Sequence, residues 1–197
     1  MRYVLRGVLL VSVAACGGDD DASVADAAMA ETAAPDATAA CANHAIFLNR
    51  GGGDFGDGAT NDSSTNTSTL LNGAHAFAPF SYDGTTRADL LVCVADKFAP
   101  FDVVVTDVDP GTCEHLEVLF STPADWQAAV FPQGGSFAPF VCMPVPRAIV
   151  FANPTPFGMS AQGVNDLCES LVLSVGISQG LEHEVSCEDS MGARARC

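Results

Sequence analysis

The chain has 197 residues, with 24 acidic against 8 basic side chains, a formal net charge of −16, and 48% hydrophobic against 16% charged residues. That hydrophobic share excludes a disordered whole and supplies one compact domain with material for a core. The acidity argues against nucleic acid as a partner, because no basic surface is available to meet phosphates.

Arg2 and Arg6 precede an apolar run from Gly7 to Ala15 that is too short to span a bilayer as a mature helix, so residues 1–15 read as a signal peptide. Val13-Ala14-Ala15-Cys16 resembles the lipobox of bacterial lipoproteins, and the resemblance implies that Cys16 is the lipidated first residue of the mature protein. The membrane would then be a partner through the acyl chains, each buried CH₂ contributing about 0.8 kcal/mol. Gly17, by the same resemblance, points to the outer membrane or cell surface of a Gram-negative bacterium. A plain secretory peptide with an incidental cysteine is the alternative, and either reading exports the protein. After Cys16, GGDDDASVADAAMAETAAPDATAA has no aromatic residue, and its glycines, Pro35 and scattered acids describe a flexible, self-repelling tether over residues 16–40. The globular domain is expected over residues 41–197.

Within it, His44 to Asn49 is a short apolar run stopped by Arg50 and three glycines, which suits a buried strand. Gly51 to Thr69, rich in Gly, Asn, Asp, Ser and Thr, is expected to be a long surface loop. Its first part, GGGDFGDGATND (Gly51 to Asp62), is the best calcium candidate, although it has neither EF-hand spacing nor an RTX repeat. A helix opens at Thr85-Thr86, with threonine caps and Leu90, Leu91, Val94 and Phe98 at helical spacing, and closes before Pro100. Asp102–Thr106, His115–Phe120 and Ala148–Phe151 read as strands. Ser136 to Cys142 reads as a further strand, which Pro139 confines to an edge. Gly163 to Gln179 is helical, with Val164, Leu167, Leu171 and Val175 on one stripe, Leu173 and Ile177 on an adjoining one, and Gly180 as the stop. The tetrapeptide FAPF recurs at Phe77, Phe98 and Phe137, at unequal intervals that exclude a solenoid. These elements predict an α/β (α+β) layer fold with a mixed, mostly parallel twisted sheet and two main helices.

Of eight cysteines, seven remain beside Cys16: Cys41, Cys93, Cys113, Cys142, Cys168, Cys187 and Cys197. In an exported chain without a CxxC pair these are read as disulfides, three bridges with one thiol left over and open connectivity. Cys187 and Cys197 bracket Met191, and one pairing would join them across it.

The order of elements, with Gly180-Leu181-Glu182-His183-Glu184 and Met191 near the end, resembles the metzincin zinc peptidases, whose signature is HExxHxxGxxH followed by a methionine turn. In that signature two histidines four apart on one helical face hold Zn²⁺, the glutamate activates a bound water, and the glycine breaks the helix so that a third histidine can return. The resemblance implies a zincin-like N-terminal subdomain, a third-histidine position at His183 and a methionine turn at Met191. It puts Leu173 at the first histidine's place, Ser174 at the glutamate's and Ile177 at the second histidine's. His183 alone cannot hold a catalytic zinc, so no catalytic residue is assigned and the two aliphatic side chains are expected to serve as core. His44, His75 and His115 lie in other elements and are expected to be packed or surface histidines. Ser174 lacks a GxSxG elbow, which argues against a serine nucleophile.

The reading is therefore a lipid-anchored surface domain with a degenerate metzincin-like fold that binds an extended peptide or a surface protein without cleaving it, and without a cofactor. Its expected site is the edge strand at Phe137, Ala138, Phe140 and Val141, by strand addition. The alternatives are an active zinc peptidase with atypical ligands and a structural envelope lipoprotein without metal.

Overall fold

The computed structural model of the chain describes residues 44–129, 131, 135–141 and 143–181. Cys16, His183 and Met191 lie outside these residues, as do Cys187 and Cys197. The described chain is a mixed α/β structure with a mostly parallel sheet and three helices.

The central strand β1 (Ala45–Asn49) is buried along its whole length. It lies between β5 (Val104–Thr106) and β6 (His115–Phe120), with β8 (Ile149–Ala152) beyond β6, all parallel. The two-residue strand β7 (Ser136–Phe137) closes the sheet antiparallel to β8, giving the order β5-β1-β6-β8-β7. Strands buried on both faces read as continuous apolar runs, which is why β1, β6 and β8 were visible in the sequence.

Helices α1 (Gly84–Phe98) and α3 (Ala161–Ser178) cover one face. Leu90 and Val94 of α1 and Leu167, Leu171 and Val175 of α3 pack on Ile46, Leu48, Val118 and Val150. The Cys93–Cys168 disulfide and the Lys97–Glu169 ion pair of 2.7 Å join the two helices. Cys113 is disulfide-bonded as well. Asp83, rather than a threonine, caps α1: its carboxylate accepts from the Thr86 amide at 2.9 Å and the Thr86 hydroxyl at 2.8 Å. These bonds hold the Asp83 carboxyl below its ordinary pKa.

The expected long loop after β1 is a second small sheet, β3-β2-β4, of β2 (Gly53–Asp57), β3 (Thr67–Ser68) and β4 (His75–Phe77). Its polar composition hides it, because one buried ring per long strand does the anchoring: Phe55 meets Phe77 at 5.7 Å and Phe151 at 6.5 Å, on the sheet face away from the helices. A third helix, α2 (Pro123–Ala128), was not expected; Thr122 caps it and Trp126 joins the same core. The three FAPF copies share a local role. Their first phenylalanine ends β4, α1 and β7 in turn, because the proline two residues on has no amide to continue a ladder or helix.

Candidate functional site

At the β7 edge, Ser136 pairs with Ala152 and Phe137 with Phe151. The strand is shorter than the expected Ser136–Cys142, since Pro139 ends the pairing. Its two side chains face opposite ways. Phe137 joins the aromatic cluster through Phe131 at 5.7 Å, and Phe131 touches Phe151 at 4.6 Å and Trp126 at 4.9 Å. Ser136 turns to α3, its hydroxyl 2.7 Å from that of Ser170 and 2.6 Å from that of Ser174. A Cβ at Gly135 would stand 2.2 Å from the Phe157 ring, so a larger residue here would have to displace that ring.

Past this anchor the chain presents apolar side chains to solvent: Phe140 is 47%, Val141 44% and Met143 69% exposed. Ala138, also expected at the binding edge, is instead buried in the helix-side core. Phe140 makes no ring contact among the described residues, whereas Phe80 and Phe101 at the same FAPF position stack on Tyr82 and Phe98. Met143 backbone atoms would lie 3.2–3.4 Å from a Cβ at Gly180, and the exposed Leu181 follows directly. The Val145 amide donates to Ser178 O at 2.9 Å and Gln179 Nε2 donates to Val145 O at 3.1 Å, tying this ledge to the end of α3. No charged residue occurs from Phe131 to Pro146.

Gly180 stops α3 as expected, with φ +81° and the Gly180 and Leu181 amides donating to Ile177 O and Gly176 O. The expectation that Leu173 and Ile177 would become core is corrected: both are half-buried, while the core stripe runs through Leu167, Leu171 and Val175. Ser174, between them, is buried against Ser136. Aliphatic side chains offer a metal no lone pair, so Leu173 and Ile177 cannot serve as zinc ligands. Among the described residues no three His, Cys, Asp or Glu side chains gather as a metal cluster. His115 is buried against Phe47 at 5.9 Å, and His75 contacts Asn72 O at 3.2 Å. The calcium candidate disperses its acids: Asp54 and Asp57 are exposed on β2, and Asp62 accepts from Ser64 and Arg147.

Sequence reasoning missed a second feature. Glu117, buried in mid-β6, accepts a 2.6 Å hydrogen bond from Asn49 Nδ2 at the end of β1. Burial pushes its carboxyl up to about 7, Asn49 opposes the rise and the Asp109 charge adds to it. Asn49 also accepts from the Gly51 amide at 2.8 Å and donates to Gly52 O at 3.2 Å, fixing the turn after β1. Beside that turn lies a cleft of about 420 Å³ lined by Phe47, Asn49, Arg50, Phe80, Asp107 and Asp109 among others. An acid inside the run HLEVLF and an asparagine closing β1 were the available signals.

Among the described residues no helix is long and apolar enough to cross a membrane. No family model matches the chain, and no curated protein and no solved structure shows significant similarity to it.

Proposed function

We propose that this protein is an exported, lipid-anchored surface protein whose metzincin-like domain binds an extended peptide or protein segment without hydrolysing it. The observation that carries the reading is the β7 edge: an antiparallel end strand continuing into exposed Phe140, Val141 and Met143, in a stretch without charge. An incoming strand would take main-chain hydrogen bonds from the edge and set alternate side chains on the ledge. A mostly parallel sheet with one antiparallel edge, followed by a long helix that Gly180 breaks, supports the metzincin resemblance. Leu173, Ser174 and Ile177 at the ligand and base positions support binding without cleavage. Cys16 in its lipobox-like setting supports the anchor.

Screening a displayed random-peptide library against the full-length chain tests the binding half of the proposal, and enrichment of uncharged, β-prone sequences is expected. Metal analysis tests the other half. No stoichiometric zinc is expected in the wild type or in His183→Ala; equimolar zinc that disappears in the variant, with chelator-sensitive proteolysis, would establish an active peptidase instead.

A further inference from the structure

The cleft beside Asn49 lies at the carboxyl ends of β1 and β5. The chain leaves β1 for β5 through α1 and then crosses back to β6 on the other side of β1. Open parallel sheets bind small ligands where the strand order reverses in this way, because the loops diverge there and leave a crevice.

The charges on the cleft wall are unevenly satisfied. Asp107 is neutralised by Arg87 of α1. Asp109 accepts from the Gly111 amide at 2.7 Å and has no cation of its own among the described residues, and Arg50 has no ion-pair partner there either. Arg50 follows β1 and Asp109 follows β5, so the two face one cleft from different strands without pairing. A small recess shares Arg50 and Asp107 with the cleft and is lined by Tyr82, whose buried hydroxyl has no hydrogen-bond partner. Phe47 and Phe80 add apolar wall. The floor is held in place: Gly52, at φ +72°, admits no side chain, because a Cβ would stand 2.2 Å from Phe77 O, and Asn49 clamps the turn while anchored to Glu117.

From the unpaired guanidinium, the unpaired carboxylate and the aromatic wall of this single cleft, we propose that it is a second binding site, for a free α-amino acid. The ligand carboxylate lies on the side of Arg50, and its ammonium on the side of Asp109. Charge-assisted hydrogen bonds at both ends give the site its requirement for a zwitterion. This site is separate from the peptide-binding edge, so either can fail without the other.

The test is a thermal-shift screen of the full-length chain against each of the twenty L-amino acids, followed by amide chemical shifts for those that raise the melting temperature. At least one is expected to move the amides of Asn49 to Gly52 and of Asp107 to Asp109. Its N-acetyl and its carboxamide derivatives, each lacking one charge, are expected to bind about tenfold or more weakly. Arg50→Gln and Asp109→Asn, both on accessible side chains, should weaken it comparably while melting like the wild type without ligand. The proposal is overturned if no amino acid moves those amides, if the blocked derivatives bind as well as the parent, or if both variants bind unchanged.

Discussion

The two edges of the five-stranded sheet are built on opposite terms. The β5 edge is a three-residue strand bounded by Asp102, Asp107 and Asp109, and Arg87 reaches across from α1 to its end. Charges so placed discourage another strand from pairing, since they would have to be desolvated. The β7 edge stands in a run without charge from Phe131 to Pro146 and leads into exposed phenylalanine, valine and methionine. In a chain of net charge −16 that run is a local exception. The difference teaches that charge guards one end of the sheet against association whereas the other carries no such guard, which on the proposed reading is the edge offered to a partner, with Pro139 limiting its extent.

A covalent staple links the helices behind the two edges, because α1 packs beside β5, α3 packs beside β7, and Cys93–Cys168 joins those helices across 75 residues of chain. Replacing both cysteines by serine should bring the largest loss of stability, about 4 kcal/mol on a loop-entropy basis, read from the denaturant midpoint. Next comes Glu117, in β6 and separated from the acidic edge by β1. Its folded pKa is raised from 4.5 to about 7, so the folded protein holds a proton that the unfolded chain releases. The Glu117 contribution to stability is therefore full below pH 4.5 and is lost as pH rises through 7, roughly 3 kcal/mol from this group. Glu117→Gln should remove that slope and raise stability above pH 7, measured by denaturation across pH. A smaller effect, confined to binding, is expected of Val141→Asp, which copies the guarded edge onto the offered one: about tenfold weaker affinity for a library-selected peptide, with an unchanged melting temperature. The smallest is Ser174→Ala, which removes one partner of the Ser136 hydroxyl and should cost about 1 kcal/mol in the same denaturation assay.

How much of this was legible in the sequence follows from what each element asks of its residues. Strands β1, β6 and β8 and both long helices announce themselves because burial on one or two faces imposes an apolar run or a helical stripe. Gly180 was legible as a stop because a left-handed residue there favours glycine. Strands β2, β3 and β4 were not, since their pairing rests on Phe55 finding Phe77 and Phe151, contacts that no local pattern encodes. The α2 signal, Thr122-Pro123 with Asp125 in the first turn, was present but the helix has only 6 residues. At the candidate sites, Phe140 and Val141 stand on the surface, whereas Ala138 turned inward. The Asn49–Glu117 pair escaped because a buried polar contact between two strands leaves no periodic trace, only an acid where the pattern calls for an apolar residue.

The most direct test of strand addition is amide hydrogen exchange with and without a library-selected peptide. Exchange is predicted to slow at Ala138, Phe140 and Val141, beyond the Phe137 amide that β8 already holds, and to remain unchanged along Val104–Thr106. Protection at β5 instead, or none at β7 under saturating peptide, would contradict the account.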